Sequence, residues 1–329
     1  MFHEYSCNRK RRSPGRSHFT HPEGTRQAGA GCGYQSMAFT DHVGSITDRD
    51  FIRSCLKDIQ SVIHTATLHK PHIATHTNQD FIDTNVSGTL ILLEEAVAAG
   101  ISTFVYTSTT STFGAAMNPA PGEPAAWITE EVTPIPKNIY GVTKIAAENL
   151  CEMFARKHGL SVVILRTSRF FPEADDDAAV RGKYSAANVQ ANELLYRRVE
   201  MEDVVDAHIL AVEKARAIGF GRYIISATTP FTRDDLALLH TNAPEVVKRL
   251  FPDYEQLFAG QQWSMFPHID RVYVNSRALH ELGWQPKYDF AYVLKCLSAG
   301  IDFRSPLSRD VGSKGYHDTV FEQGPYPVE

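Results

Sequence analysis

A tyrosine and a lysine stand four residues apart in the segment Tyr140-Gly-Val-Thr-Lys144. In a helix this spacing places both side chains on one face. A free phenol with a pKa of about 10 is a poor base at neutral pH, whereas a neighbouring ammonium favours the phenolate. Tyr140 is therefore a candidate acid/base, and Lys144 a candidate partner that also hydrogen-bonds ligand hydroxyl groups. Taken alone, the spacing also occurs by chance on a solvated helix face, since the chain has 13 tyrosines.

A run of hydroxyl side chains precedes this pair, from Thr107 to Thr112, and ends at Phe113-Gly114. The run follows a predicted strand, where a hydroxyl can polarise the oxygen of a bound substrate. Turn chemistry is the simpler interpretation, because Ser and Thr are common in loops.

Short apolar strands alternate with amphipathic helices around these residues. Asp48 can cap the first helix, and Gly100 and Gly159 stand where the next two end. Strands without polar alternation, separated by helices, indicate a parallel sheet covered on both faces. The pattern predicts helices over residues 50–57, 81–99 and 140–157, and strands over residues 61–64, 103–107 and 161–165.

A parallel sheet binds ligands where its strands end, which here means just after Ile63, Tyr106 and Leu165. Downstream, a helix beginning at Glu202 and a strand over residues 222–226 continue the alternation. The remaining residues are less regular, which suits a smaller C-terminal lobe.

Residues 1–37 differ from the rest of the chain. They contain the basic run Arg9-Lys-Arg-Arg12 and scattered Ser, Pro and Gly, without apolar periodicity. This composition predicts an irregular tail. A mitochondrial targeting segment is the alternative, because the stretch is rich in arginine, although Glu4 and the lack of an amphipathic face count against it.

The composition is that of a globular protein, with 43% apolar and 22% charged residues over 329 positions. A net charge of −5 gives no electrostatic reason to expect nucleic acid as a partner, and we expect no membrane helix. The five cysteines form no Cys-x-x-Cys pair, so they fit neither a disulfide framework nor a zinc site. We expect no metal, a reduced cytoplasmic location and a small-molecule substrate.

Six segments follow one another in a particular order: His64-Thr-Ala-Thr67, Asn85-Val-Ser-Gly88-Thr89, Phe104-Val-Tyr-Thr-Ser-Thr109, Tyr140-Gly-Val-Thr-Lys144, Leu165-Arg166-Thr-Ser168 and Leu282-Gly-Trp284-Gln-Pro286. Together they resemble the extended short-chain dehydrogenases/reductases, the NAD-dependent epimerase/dehydratase family, over about residues 44–300. The resemblance implies an α/β fold with a Rossmann-like doubly wound parallel sheet, a smaller C-terminal substrate lobe, and NAD or NADP as cofactor.

Residue by residue, the resemblance implies a catalytic triad of Thr109, Tyr140 and Lys144, with Thr109 at the family's Ser/Thr position. A packing role is the alternative for each residue implied to line the cofactor. By their places in matching motifs these are Ile46, Ala66, Thr67, Asn85, Thr107, Ser108, Lys144 and Ser168.

The family's glycine-rich turn, G-x-x-G-x-x-G between the first strand and the first helix, has no visible counterpart. This turn lets backbone N–H groups and a helix N-terminus meet the pyrophosphate. Gly29-Ala-Gly31-Cys-Gly33 is rich in glycine, but residues 22–28 do not resemble a strand, so we interpret the glycine segment as flexible tail. The sequence therefore predicts an N-terminally incomplete sheet with an exposed edge, or weak cofactor binding.

Two further departures concern ligand and reaction. Ser45 stands where the family usually has an acid that meets the adenine, although Ile46 can still pack on that ring. Thr110 and Ser111 follow Thr109 where the family's dehydratases carry an Asp-Glu pair, which disfavours dehydration.

An arginine, Arg169, stands where nucleotide-sugar enzymes commonly have Asn. Arginine suits phosphate or carboxylate, so Arg169 and Arg271 are candidate contacts for an anionic substrate, with Arg197 and Arg198 as further candidates. Surface ion pairing is the alternative for each.

We divide the chain into an irregular basic tail (1–37), an NAD(P)-binding domain (38–230) and a substrate-binding lobe (231–329, with part of 169–198). We expect an NAD(P)-dependent epimerase or oxidoreductase acting on a nucleotide sugar or related hydroxyl or carbonyl substrate. The alternatives are an NADPH-dependent carbonyl reductase and a non-catalytic or cofactor-impaired sensor or scaffold. The resemblance also implies a homodimer through the helices near 81–99 and 140–157.

Overall fold

The computed structural model describes the backbone of Glu4–Arg9, His18–Thr20 and Arg26–Gly33, followed by residues 40–313 and Phe321. Its strands are β1 (Glu4–Arg9), β2 (His18–Thr20), β3 (Arg26–Gly33), β4 (His42–Val43), β5 (Ile59–His64), β6 (Thr103–Thr109), β7 (Ala126–Ile128), β8 (Ser161–Thr167), β9 (Phe220–Ile225) and β10 (Arg271–Tyr273). Its helices are α1 (Arg49–Cys55), α2 (Asn78–Phe81), α3 (Gly88–Ala98), α4 (Ile139–His158), α5 (Ala178–Lys183), α6 (Ala186–Glu193), α7 (Met201–Ile218), α8 (Leu236–Leu250), α9 (Tyr254–Gly260), α10 (Phe290–Ala299) and α11 (Pro306–Val311).

The chain forms two compact units, each assembled from three separate stretches. The first comprises Met1–Thr112, Lys137–Arg166 and Asp206–Tyr223, and the second comprises Phe113–Pro136, Thr167–Val205 and Ile224–Glu329. The division predicted from the sequence joined part of 169–198 to the C-terminal lobe, but it did not include residues 113–136. The assignment of cofactor to one domain and substrate to the other stays a prediction.

Among the described residues, eight strands form one sheet, in the order β2-β3-β1-β5-β6-β8-β9 with β4 beside β3. β5 and β6 run parallel, and His64 lies opposite Tyr106, so the two strands end at the same edge. Val62 and Phe104 on these strands are fully buried. The predicted alternation of apolar strands and helices is confirmed.

The N-terminal residues form strands where the sequence predicts an irregular tail. β1 pairs antiparallel with β5, and β3 pairs antiparallel with β1 through the glycine segment Gly29–Gly33. The tail prediction is therefore wrong for β1, β2 and β3, and β1 covers the β5 edge that we expected to be exposed. Strand pairing uses backbone N–H and C=O groups, which glycine and polar residues also supply, so side-chain periodicity carries no signal of it. The other positions of residues 1–37 lie outside the described residues.

The helix predicted over residues 81–99 is divided into three segments. α2 ends at Phe81, residues 82–87 form a π-helical turn, and α3 begins at Gly88. Such turns contain one extra residue and are frequent at functional sites. This one turns Asn85 into the interior, where it is 1% exposed. Gly100, with a φ of 69°, follows the end of α3 as predicted.

The first unit packs its helices on the sheet through apolar side chains. Ile52 from α1, Leu93 from α3 and Cys151 from α4 join β-strand residues such as Ile164 in one buried cluster. Each large apolar side chain buried in this way contributes about 1.5 to 3 kcal/mol. Asp48 accepts hydrogen bonds from the backbone N–H groups of Asp50 and Phe51, which confirms it as the cap of α1.

The second unit has its own apolar core, to which Leu239, Phe258 and Val293 contribute. Trp284 is also buried and is 1% exposed. The indole Nε1 of Trp284 donates to the Asp203 carbonyl at 3.0 Å, and the Asp203 carboxylate accepts from the backbone N–H groups of Lys287 and Tyr288. The Leu282–Pro286 motif thus anchors the chain to the start of α7. Within the described ranges, no helix combines the length and apolar composition needed to cross a membrane.

Candidate active site

Helix α4 positions both Tyr140 and Lys144. The Asn138 side chain caps the helix by accepting from the Gly141 N–H at 3.1 Å, so Tyr140 stands in the first turn. Lys144 follows one turn later on the same face, as the spacing predicts, and Gly159 ends the helix in a left-handed conformation. Tyr140 is 4% exposed and Lys144 is 1% exposed, so this face is turned inward.

The buried Lys144 ammonium has polar contacts at the end of β6. Its Nζ donates to the Thr107 carbonyl at 2.7 Å and lies 4.1 Å from the centroid of the Tyr106 ring. Burial lowers the pKa of Lys144 to about 7, and the Glu148 carboxylate partly opposes this by favouring the ammonium. Lys144 therefore changes its charge near neutral pH.

The Tyr140 phenol lies near two polar side chains. The Nδ1 of His69 is 3.5 Å from the phenol oxygen, and the Thr109 side chain is near enough to affect the pKa of Tyr140. Burial raises the pKa of Tyr140 above its usual value, while the interaction with Thr109 partly lowers it. In this state Tyr140 is a neutral phenol at pH 7.

The hydroxyl run at the end of β6 is held by internal contacts. Ser108 donates to a Glu148 oxygen at 2.6 Å, and the Thr107 hydroxyl is 2.7 Å from the Nε2 of His208. The Thr109 hydroxyl accepts from the Ser111 N–H at 3.1 Å. These contacts fix the strand end, and the roles of Thr107 and Ser108 as cofactor contacts stay predictions.

Glu148 is a buried carboxylate that the sequence analysis missed. It is 1% exposed and binds Arg166 through two nitrogens, at 3.0 and 2.8 Å, and its oxygen is 3.0 Å from the Nε of Arg222. Glu148 stands one helical turn beyond Lys144, a spacing that could have pointed to it. The Glu148 carboxylate adds negative potential beside Lys144, which favours the ammonium.

The loop after β5 is anchored by Asn85. Its side chain accepts from the Leu68 N–H at 2.7 Å and from the Thr67 hydroxyl at 2.9 Å, and donates to the Leu68 carbonyl and the Thr143 hydroxyl at 3.1 and 3.0 Å. The amide thus ties the loop to α4. Ala66 is 7% exposed in the same loop.

Two residues near this loop are deeply buried. Ile46 is 5% exposed and packs on Gly88. Its contact with an adenine ring stays a prediction. His64 was missed as a polar core residue. Its Nε2 is 2.9 Å from the Thr89 hydroxyl, and burial together with the nearby Lys144 charge lowers its pKa to about 3.

The other predicted ligand contacts, Ser168, Arg169 and Arg271, belong to the second unit. Arg169 donates to Asp175 at 2.8 Å and lies 3.6 Å from a Glu193 oxygen, so its charge is compensated inside this unit. Arg271 is half-buried on β10, and its Nε has no hydrogen-bond partner among the described residues. Binding of an anion by either arginine stays a prediction.

Comparison with known proteins identifies the family. The model of the NAD-dependent epimerase/dehydratase family matches residues 12–225, which is more than half of the chain. The chain belongs to this family. The resemblance to extended short-chain dehydrogenases/reductases is thereby confirmed, and the family's NAD dependence agrees with the predicted cofactor, NAD or NADP.

Curated relatives in this family have different names. UDP-glucose 4-epimerase of Rhizobium meliloti is 27% identical over 76% of this chain and 80% of that protein. dTDP-glucose 4,6-dehydratase of Streptomyces antibioticus is 27% identical over 75% of this chain and 72% of that protein. The uncharacterized protein y4nG of Sinorhizobium fredii is 37% identical, but the match spans 37% of this chain and 28% of that protein.

Solved structures have the same fold. A short-chain dehydrogenase/reductase superfamily protein from Agrobacterium tumefaciens, with bound NAD, has a TM-score of 0.56 and 17% identity, covering 82% of this chain and 88% of that one. UDP-N-acetylglucosamine 4-epimerase from Bacillus cereus has a TM-score of 0.54 and 20% identity, covering 82% and 87%. The predicted α/β Rossmann-like fold is confirmed.

Two polar side chains of the first unit have hydrogen-bonding capacity that suits a nucleotide ligand. The Thr65 hydroxyl is buried and has no hydrogen-bond partner in the described part of the chain, so it can bond a ligand. One of the three N–H donors of Lys144 goes to the Thr107 carbonyl, which leaves donors for ribose hydroxyl groups. Lys144 and Thr65 are thus suited to hold such a ligand.

Proposed function

We propose that the protein is an NAD(P)-dependent epimerase or oxidoreductase that acts on a nucleotide sugar or a related hydroxyl or carbonyl substrate. The observation that carries the proposal is the setting of the Tyr140 phenol. The Thr109 side chain lowers the pKa of this phenol against the effect of burial, and the Lys144 ammonium is held one helical turn away by the Thr107 carbonyl. An acid/base, a hydroxyl and a cation at one strand end are what proton transfer at a substrate oxygen needs.

The relatives support the substrate class, since their names refer to UDP-glucose and dTDP-glucose. Epimerisation or simple redox is favoured over dehydration, because Thr110 and Ser111 follow Thr109. Neither hydroxyl replaces the carboxylates with which the family's dehydratases remove water.

The chain's own residues divide the chemistry as follows. Tyr140, as phenolate, accepts the proton of a substrate hydroxyl, and as phenol it returns the proton to a carbonyl oxygen. The Thr109 hydroxyl orients that oxygen by a hydrogen bond. The Lys144 ammonium favours the phenolate, and this support is lost as the pH rises above the Lys144 pKa of about 7. A bound nicotinamide supplies or accepts the hydride.

Two measurements on the full chain test the proposal. Calorimetric titration with NAD and with NADP should detect binding of at least one of them. UDP-glucose with that cofactor should then be converted to its epimer, or oxidised with an increase in absorbance of reduced nicotinamide. Tyr140→Phe should lower kcat by about 10²-fold or more, because the proton-transfer group is lost.

Tyr184→Phe is the matched control, since Tyr184 lies in the second unit and has an edge contact with Phe266. This variant should turn over as fast as the parent. Equal rates for Tyr140→Phe and the parent would refute the role of Tyr140.

A sensor or scaffold without catalysis is the second candidate. The observation that favours it is the direction of β1, which runs antiparallel to its neighbour β5. A strand in that direction does not deliver its carboxyl end to the edge where β5 and β6 end. The calorimetric titration separates the two candidates, because absence of affinity for both nucleotides would remove the enzyme hypothesis.

We further propose a cytoplasmic homodimer that uses the helices near 81–99 and 140–157. Ile82 and Val142, on these helices, are 40% and 49% exposed, and exposed apolar side chains on both helices suit an interface. Cys32, Cys55, Cys151 and Cys296 are buried and unbridged, which suits a reducing compartment.

A further inference from the structure

We propose that His69 is a second proton-transfer group of the active site and carries the Tyr140 proton between the phenol and solvent. The inference rests on the proposed function, since it requires Tyr140 to act as an acid/base. His69 belongs to none of the motifs from which the triad was derived.

The contact between the two rings is direct. The Nδ1 of His69 is 3.5 Å from the Tyr140 oxygen, and the ring centroids are 5.6 Å apart with planes inclined by 31°. The distance is long for a hydrogen bond, but catalytic hydrogen bonds commonly tighten only when substrate fills the site. Tyr140 is 4% exposed whereas His69 is half-buried, so His69 is the more exposed of the two side chains.

The loop holds the imidazole in this place. The backbone N–H of His69 donates to the Nδ1 of His72 at 2.8 Å, and Asn85 binds the backbone N–H and C=O of the preceding Leu68. Among the described residues, the titratable groups with a ring contact to His69 include Tyr140 from α4 and His72 from the turn that follows His69. A ring fixed by its backbone in this way is preorganised for proton transfer.

The chemistry requires such a group. Tyr140 is a buried phenol and must lose a proton before it can accept one from a substrate hydroxyl. A neutral His69 takes the phenol proton at Nδ1 and releases a proton from Nε2 to solvent, which leaves a phenolate and a neutral imidazole. The reverse sequence restores the phenol. Imidazole suits this exchange because its ordinary pKa is about 6.5.

A nitrogen NMR experiment tests the contact without any substrate. The full chain is labelled with ¹⁵N-histidine, and the His69 signals are assigned by their loss in His69→Gln. In Tyr140→Phe the Nδ1 signal of His69 should shift, because its hydrogen-bond partner is gone. An unchanged Nδ1 signal would overturn the proposal.

Chemical rescue tests the function with UDP-glucose and NAD as probes. His69→Ala should lower kcat by roughly 10²-fold, and added imidazole should restore part of the loss. His69→Phe keeps an aromatic ring against Tyr140 but transfers no proton, so it should be slow and not rescued. Parent-like turnover by His69→Phe, or a slow His69→Ala that imidazole does not restore, would overturn the proposal.

His76→Ala is the control, since His76 is an exposed histidine of the same segment and should leave kcat unchanged. The two levels of inference remain separable. If the parent protein turns over no UDP-glucose, the proposed substrate is refuted, while the nitrogen spectra still decide whether His69 and Tyr140 share a proton.

Discussion

At the scale of single residues, the main feature of this site is a buried lysine whose pKa lies near 7. Lys144 is 1% exposed, yet its ammonium has a carbonyl, an aromatic face and the Glu148 carboxylate around it. Burial lowers the pKa of Lys144 to about 7, and the Glu148 carboxylate offsets part of that effect. The Lys144 charge, which we propose favours a phenolate at Tyr140, therefore declines above neutral pH.

His64 should make the fold sensitive to acid. Its folded-state pKa of about 3 lies below the ordinary 6.5, so the unfolded chain binds the proton more readily as the pH falls from 6.5 toward 3. The free energy of unfolding therefore decreases as the pH falls from 6.5 to about 3. His64→Leu should reduce the loss, as measured by urea unfolding at a series of pH values.

The same substitution at the exposed His76 controls for the general effect of removing a histidine. Identical pH slopes for His64→Leu and the parent would show that the His64 imidazole is not held neutral. The comparison uses differences in unfolding free energy at each pH, so a constant loss of packing in His64→Leu does not affect it.

Sequence patterns predicted some site residues and missed others for a physical reason. The Tyr140 and Lys144 spacing is local, and the helix places both on one face as predicted. The contacts of Ser108 with Glu148, Tyr140 with His69 and Thr107 with His208 span 40, 71 and 101 residues along the chain. No local pattern encodes such pairs, so His69 and His208 emerge only from the fold, whereas the helical spacing of Glu148 from Lys144 could have pointed to that residue.

Secondary-structure elements hold the site through close approaches that periodicity does not reveal. The helix after the β5 loop was predicted, but its π-helical turn was not, because one extra residue changes the apolar spacing little. The turn directs Asn85 toward Leu68 and Thr143. α3 begins directly after this turn, and its first residue, Gly88, packs against Ile46.

Gly88→Ala should destabilise the protein by about 1 to 3 kcal/mol. An added Cβ would stand 2.6 Å from the Cδ1 and Cγ1 atoms of Ile46, too close for any real contact. Ile46→Ala should relieve this overlap, so the double variant should be more stable than the sum of the two single effects predicts. Chemical unfolding of the four proteins measures the coupling.

Gly182→Ala is the matched substitution, because a Cβ at Gly182 in α5 meets no atom within 4 Å. It should stabilise the helix by up to about 1 kcal/mol. A Gly88→Ala protein as stable as the Gly182→Ala protein would contradict the close packing of α3 on Ile46.

For the whole molecule, the sequence predicted the sheet but not how the chain is shared between units. Alternating apolar segments identify β5, β6 and β8, since each buried strand leaves a local signal. Part of 169–198 was expected to join the C-terminal lobe, whereas residues 113–136 join the second unit through contacts remote in sequence, which composition does not indicate. β1 and β3 were missed because their pairing is made by backbone groups.

Val142→Asp should convert the proposed homodimer into a monomer. Val142 is 49% exposed on α4, and a carboxylate buried in an interface without a partner is strongly unfavourable. Light scattering coupled to gel filtration measures the mass of each species. Ile301→Asp is the control, because Ile301 is 57% exposed in the second unit and outside both helices. A monomeric parent, or a dimeric Val142→Asp, would refute this interface.

The antiparallel pairing of β1 with β5 has a consequence for amide hydrogen exchange. Backbone amides of β5 that face β1 are shielded from water only while β1 is docked, whereas those facing β6 are shielded by the parallel neighbour. Deuterium uptake along Ile59–His64 therefore reports how often the N-terminal strand detaches. If the β5 amides that pair with β1 exchange faster than global unfolding allows, their exchange rates give the free energy of detaching β1.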